Sequence, residues 1–283
     1  MKLSFPDPVF RQYVLDNFDT DKNGMISESE AAVVTSIYVS GVDGRNAQIA
    51  SLKGVENFTN LIELICGSNK LTSLDVSNNT ALEQLDCYDN QLTSLDISNN
   101  TALKRLHCDN NQLASLDVSK NTKLQELYCC RNKLASLDIS NSPVLERLWC
   151  EFNSITSLDV SKNIALKTLK CSANSISSLD ISKNTALEEL ECEQNSLMSL
   201  DVSNNTALEQ LDCYGNQLTE LDLSKTNLVN GSLKSNSLTG FPLYCKMPTL
   251  KKLYLKKGWS IKGITENRSI NCISDETEIL FVD

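Results

Sequence analysis

The sequence predicts a repeat solenoid, mostly β, with two short parallel strands per 21-residue coil and a helical N-terminal cap. Two observations predict it. Leu61, Leu82, Leu103, Leu124, Leu145, Leu166, Leu187 and Leu208 are 21 residues apart, with Leu228 and Leu250 continuing the series at 20 and 22. Within each period apolar and polar residues alternate, as in Leu85-Asp86-Cys87 and Leu95-Asp96-Ile97. Period-two alternation is the signature of a half-buried strand, and a fixed period of this length marks a repeat architecture in which no coil buries its apolar face alone.

One coil, Leu71 to Gln91, has two similar halves. The first reads LxxLDVSxN (Leu71, Leu74, Asp75, Val76, Ser77) and the second LxxLxCxxN (Leu82, Leu85, Cys87, Asn90). Each half supplies one strand, and consecutive coils stack at strand spacing, ~4.8 Å. The motif LxxLxCxxNxL resembles the leucine-rich-repeat consensus, with Cys at one apolar position. The nested 21-residue form is similar to repeats in secreted or cell-surface proteins of gut-dwelling bacteria. The resemblance covers residues 37 to about 258 and includes eight consecutive LxxLxCxxN stretches. It implies that the Cys-bearing strands line a concave sheet used for binding.

Of the 11 cysteines, eight follow the 21-residue period: Cys66, Cys87, Cys108, Cys129, Cys150, Cys171, Cys192 and Cys213. Each alternates with an inward Leu and so faces the core, where a thiol serves as a small hydrophobe. A metal site needs ligands converging on a point rather than spread along a stack. Cys130, one residue past an inward Cys, is expected to face out. Cys245 and Cys272 lie in a less regular region where pairing is open. Asn69, Asn90, Asn111 and their equivalents follow the strand, where a carboxamide can satisfy backbone groups left by a sharp turn. Asp75, Asp96, Asp117 and their equivalents form a like-charged column, a solvated strand face or a calcium-binding one. Neighbours at coil spacing repel by about 1 kcal/mol in water before screening, so solvation, backbone N–H groups or cations must offset it.

Ahead of the repeats, residues 19–30 read Asp-Thr-Asp-Lys-Asn-Gly-Met-Ile-Ser-Glu-Ser-Glu. The spacing fits the EF-hand loop. Asp19, Asp21 and Asn23 offer side-chain oxygens, Gly24 the turn, Met25 a backbone carbonyl, Ser27 a direct or water-bridged contact and Glu30 a bidentate carboxylate, a set suited to one structural Ca2+. Val9, Phe10, Tyr13, Val14 and Phe18 form a helical stripe before the loop, and Ala31 to Val34 are expected to continue a helix after it. A capping box from Ser27 to Glu30 fits the same residues. The expected organisation is an EF-hand-like cap (1–35), the solenoid (36–257) and a C-terminal cap (258–283).

The residue between Leu and Cys on each strand points outward, in a column from Ile65 through Ser232 to Tyr254, and so does the one after Cys, from Gly67 and Tyr88 through Lys234 to Lys256; these positions vary while the scaffold repeats. Tyr88, His107, Tyr128 and Trp149, with Arg105 and Arg147 beside them, are the candidate ligand patch, since exposed aromatics with Arg are ingredients of binding hot spots. Glu151, Glu191, Glu193 and Asp212 follow. A net charge of −10 argues against nucleic acid. No apolar run is long enough to span a membrane, and the N-terminus carries no apolar stretch of signal-peptide length. Catalysis has no candidate site: the single histidine, His107, sits beside Cys108 on opposite faces of a strand, Cys130 lies about 8 Å off by strand geometry, and no phosphate loop or nucleophile elbow is present. The expected protein is a monomeric, non-catalytic binder, extracellular or on the cell surface with its leader removed. Its partner is a protein, a host protein included, or a glycan stacked on Trp149 and Tyr128. A structural spacer is the remaining alternative.

Overall fold

The computed structural model describes residues 3–41, 49–226, 249–257 and 277–282. The chain divides into two compact units, Met1–Ser142 and Pro143–Asp283.

The first unit opens on helix α1 (Pro8–Phe18). Proline at its first turn lacks only an N–H that would have no intrahelical acceptor. Asp7 caps the helix, accepting from Val9 N at 2.9 Å and Phe10 N at 3.0 Å. Its other oxygen accepts from Ala50 N at 2.9 Å and Ser51 N at 3.3 Å, so one buried carboxylate ties the helix to a segment far along the chain. Phe10 and Val14 face inward, and Phe5 and Phe18 both pack on Phe58, with ring centroids 5.9 and 5.8 Å away. Tyr13 Oη accepts from Tyr38 N at 3.0 Å, which brings the helix onto the first strand.

The expected second helix is cut short. Helix α2 is one turn, Glu28–Ala31. Val33 is exposed, Val34 is buried, and Thr35 O accepts from Ile62 N and Glu63 N. The β-branched run Val33-Val34-Thr35 thus enters the sheet, where such residues pack well, instead of extending the helix.

Five strands follow in the first unit: β1 (Ser36–Tyr38), β2 (Glu63–Ile65), β3 (Gln84–Asp86), β4 (Arg105–His107) and β5 (Glu126–Tyr128). They pair in parallel and in chain order, so that Leu64, Leu85, Leu106 and Leu127 register with one another. The second unit holds β6 (Arg147–Trp149), β7 (Thr168–Lys170), β8 (Glu189–Glu191) and β9 (Gln210–Asp212), paired the same way. Its remaining strands, β10 (Glu220–Asp222), β11 (Lys252–Lys256) and β12 (Glu278–Val282), form a separate parallel set.

Two strand expectations are corrected. From Leu71 to Ile181 the LDVS halves form no ladder, and the strand of each coil comes from its LxC half; the LDLS half at Glu220–Asp222 is the exception, pairing as β10 with β11. In ladder and loop alike the Asp bonds back to the chain: Asp75 Oδ1 accepts from Ser77 N at 3.0 Å, Asp96 from Ser98 N at 2.9 Å, and the pattern recurs at Asp222 and Ser224. This also answers the like-charge column. The Ser hydroxyl and N–H bonds hold the exposed Asp75 and Asp96 carboxyls below the usual range. The second correction concerns Tyr254 and Lys256. They do not continue the LxC column, since β11 registers with β10, placing Tyr254 opposite Asp222. Ser232, Lys234, Cys245, Cys272 and most of the segment 258–283 lie outside the described residues.

Each coil closes through buried carboxamides. Asn111 Nδ2 donates to Cys108 O at 3.1 Å in its own coil and to Cys87 O at 3.0 Å in the preceding one, while its Oδ1 accepts from Leu92 N at 3.0 Å. The residue before it, Asn110, has φ 53°, and Asp89 and Ala173 occupy the same left-handed position in their coils. That conformation costs a non-glycine residue on the order of 1 kcal/mol and persists only where surrounding bonds over-determine it. A second carboxamide column, whose role the periodicity alone does not reveal, lies on the other half. Asn100 is fully buried and donates to Val76 O at 3.0 Å and Asn79 O at 2.9 Å, and Asn121, Asn184 and Asn205 repeat the arrangement.

All eight periodic cysteines are buried, and burial pushes the Cys66, Cys87, Cys108, Cys171, Cys192 and Cys213 thiols up from the ordinary range. Cys130 is buried as well, where exposure was expected, and its N–H donates to Asp109 Oδ1. Cys171→Ser should cost about 1–3 kcal/mol, because it buries a hydroxyl among apolar neighbours. Cys171→Ala leaves a small cavity and should cost about 1 kcal/mol or less. Urea unfolding of the two variants measures the order, and fast labelling of Cys171 by a thiol reagent in the folded protein contradicts the inward column.

Candidate functional site

Two regions carry the residues that sequence reasoning singled out. The first is the acidic loop between α1 and α2. Asp19 Oδ1 accepts from Asn23 N at 3.1 Å and its Oδ2 from Gly24 N at 2.8 Å, while Gly24 takes φ 77°, open to glycine without strain. Asn23 Nδ2 donates to Asp21 Oδ2 at 2.7 Å. Glu30 Oε1 accepts from the Thr20 N–H and hydroxyl, both at 2.8 Å, and its Oε2 accepts from Ser27 N at 3.0 Å. These bonds, the Ser27 N–H foremost, pull the Glu30 carboxyl down to about 2. The capping box and the loop spacing therefore coexist in the same residues. One oxygen each of Asp19, Asp21 and Glu30 comes within 4.8 Å of the others, a convergence of hard donors that fits a divalent cation. Met25 is exposed at the loop's far turn and Ser27 serves as the cap of α2.

The second region is the outward face of the LxC strands, described unit by unit. In the first unit the register places Ile65, Asp86, His107 and Tyr128 side by side. Tyr88 and His107 stack, with centroids 4.8 Å apart and planes at 22°, and Tyr128 meets His107 edge-on at 5.4 Å. His107 Nε2 lies 2.8 Å from Asp109 Oδ2 and Nδ1 lies 3.3 Å from Asp86 Oδ1. Arg105 Nε donates to Glu126 Oε2 at 2.7 Å, and that oxygen also accepts from Tyr128 Oη at 2.9 Å.

In the second unit Arg147 is exposed on β6 and Trp149 faces the same side as Lys170. The expectation of a solvent-facing Trp149 ring is corrected: it is half-buried, with Lys170 Nζ 5.0 Å from its centroid. Lys170 is itself held at 2.8 Å by Glu189 and by Glu191, so a cation–π contact and two ion pairs converge on one ammonium. Glu151, Glu191 and Glu193 gather within 4.8 Å of one another, and Ser172 Oγ donates to Glu193. Burial, then the nearby Glu193 and Glu191, raise the Asp212 carboxyl to about 7.

The structure thus brings Tyr88, Arg105, His107 and Tyr128 into one cluster in the first unit, and Arg147 and Trp149 belong to the second. Sequence reasoning missed Asp86 and Asp109 as partners of His107, although a 21-residue spacing and a two-residue spacing respectively point to them. It also missed Gly67. A Cβ there would lie 2.3 Å from Tyr88 Cε1, so the Tyr88 ring occupies the space a side chain would fill. The signal was present: one glycine in an otherwise side-chain-bearing column, opposite an aromatic one coil on.

Comparison with known proteins decides the fold. A model for leucine-rich repeats (two copies) matches residues 80–121. The solved functional domain of InlJ from Listeria monocytogenes, which includes a cysteine ladder, superposes with a TM-score of 0.66 over 99% of this chain at 32% identity. The fold is a leucine-rich-repeat solenoid. Internalin J of Listeria monocytogenes serotype 4b is 41% identical over 73 residues, 26% of this chain. The leucine-rich-repeat protein LIC12759 of Leptospira interrogans shares the fold at 22% identity, with a TM-score of 0.56 over 90% of this chain and 80% of that one. The chain spans 61% of the solved InlJ domain and 7% of Internalin J. Cys66 to Cys213 form a cysteine ladder here too, each thiol buried at the same position of its coil.

Proposed function

We propose that this chain is a non-catalytic recognition module that binds a protein, a host protein included, through the outward face of its LxC strands, on the surface of a bacterium or secreted from it. The observation that carries the reading is the contrast within each coil. Leu, Cys and Asn repeat without variation inside, while the outward position changes from Asp86 to His107 to Tyr128 in the first unit and from Trp149 to Lys170 to Glu191 in the second. A rigid parallel sheet presents that variety without a loop-ordering cost. The likeness to internalins supports the bacterial surface setting, and no helix among the described residues is long and apolar enough to cross a membrane.

The non-catalytic part rests on His107. Both of its ring nitrogens approach carboxylates, Asp109 at 2.8 Å and Asp86 at 3.3 Å, so neither is directed at an open site where a substrate proton could be taken. A glycan is the less favoured partner, because stacking needs an open ring face: Tyr88 is stacked on His107 and Trp149 lies under Lys170. Screening against a host-protein array and a glycan array separates the readings, and silence on both favours a structural spacer. With the partner in hand, Trp149→Ala and Tyr128→Ala should each weaken binding by about 2 kcal/mol if they are hot spots. Asp159→Ala, on the LDVS side, should leave affinity unchanged. Unaltered affinity in the double aromatic variant removes the face from consideration.

The loop 19–30 is proposed to hold one structural Ca2+ through Asp19, Asp21, Asn23, the Met25 carbonyl, Ser27 and Glu30. The supporting feature is the convergence of three carboxylates on a turn already shaped by Gly24. An ion bound only by the folded state stabilises by mass action. Calcium should therefore raise the melting temperature relative to chelator, and Glu30→Gln should erase the difference. Identical melting of the natural sequence in calcium and in chelator is the contrary result.

A further inference from the structure

His107 is the only histidine in the chain, and it sits at the junction of three coils. Asp86 approaches it from β3, Asp109 from the turn that follows its own strand, and Tyr128 from β5. Asp109 is fixed in turn by the Cys130 N–H on the next coil. Tyr88 stacks on the imidazole, occupying the space over Gly67. Arg105 on the same strand and Glu126 on β5 lie beside this face and are paired with each other, and Asp89 on the turn after β3 accepts from Ser68 and Asn110.

The carboxylates on both sides of the ring favour its charged form. A neutral imidazole carries one N–H, and its other nitrogen presents a lone pair. In either tautomer of the neutral ring, that lone pair would face a carboxylate oxygen, at 2.8 Å on the Asp109 side or 3.3 Å on the Asp86 side. Only the imidazolium turns a proton toward both. Its charge also lies between the two carboxylates, while Arg105 is engaged by Glu126.

We propose that the His107 imidazolium is a charged latch that locks the Tyr88–His107–Tyr128 stack on the outward face of β3–β5, and that removing its proton releases the stack. The latch goes beyond the binding reading and needs no ligand on this face. Burial opposes the charge, but the Asp109 and Asp86 carboxylates outweigh it and raise the group from 6.5 to about 9. A folded-state value above the unfolded one gives stabilisation that is complete below the unfolded value and lost as pH climbs through the folded one. The latch is therefore closed at neutral pH and opens toward pH 9.

Because the chain has one histidine, NMR of histidine-labelled protein reads it without ambiguity. At pH 7 both ring nitrogens should carry protons. The ring should titrate with a midpoint near 9, and the ring signals of Tyr88 and Tyr128 should move with that midpoint. In His107→Gln those tyrosine signals should stay still until the phenols themselves ionise, near pH ~10. Asp86→Asn and Asp109→Asn should each lower the midpoint by about one unit, and if one of them fails to fold the other carries the test. A midpoint near ~6.5, the ordinary value, overturns the latch. So do tyrosine signals that ignore the histidine.

Discussion

A carboxamide buried once per coil, bonded to its own strand and to the coil before it, is the constraint on which the rest depends. A three-residue strand such as Gln84–Asp86 is too short to organise a turn by itself. The backbone after it must reverse sharply, through a left-handed residue, and the reversal leaves carbonyls pointing into the protein. Asn90 takes Cys66 O and Cys87 O from two successive coils and returns its oxygen to Leu71 N. Asn111 does the same one coil later. Buried polar groups left unpaired cost about 1–3 kcal/mol each, so the column turns a liability at every turn into a fixed spacing between coils. The second column through Asn100 and Asn121 does similar work on the opposite half.

Once the spacing is fixed from inside, the outside is free to vary. The strand face can carry Asp86, His107 and Tyr128 in successive coils because none of them sets the register. Variation is not isolation, however. Outward groups one coil apart are close enough to interact, and they have organised into local networks: His107 between two carboxylates, Arg105 with Glu126, and Lys170 with Glu189, Glu191 and the Trp149 ring. The face presents groups already held in place, which reduces the ordering cost a partner must meet.

The inward columns were legible in the sequence because a period of 21 with apolar alternation has one physical solution, stacked coils with Leu and Cys inside. The loop at 19–30 was legible in its acidic spacing, and the structure draws Asp19, Asp21 and Glu30 together. What the pattern could not reveal was competition between local bonds. LDVS alternates as well as LxC does, yet among the described residues the half at Glu220–Asp222 is the one that joins a ladder. Ala31 to Val34 could extend a helix, but Thr35 is drawn into the sheet by Ile62. Cys130 should face out by parity and is buried, with its N–H bonded to Asp109. Trp149 should lie open and is half-buried, with a lysine one coil away near its ring. The partners of Thr35, Cys130 and Trp149 lie a coil or more along the chain, outside any local window.

The central claim concerns the carboxamide column, and one substitution tests it most directly. Asn111→Ala removes the donors to Cys87 O and Cys108 O and leaves Leu92 N without its acceptor. Equilibrium unfolding in urea, with Asn78→Ala at an exposed position of the other half as reference, measures the cost. The account predicts that Asn111→Ala loses about 2–4 kcal/mol, the sum expected for several buried groups left unpaired, while Asn78→Ala loses less than about 0.5 kcal/mol, as surface changes do. Equal losses in the two variants contradict it.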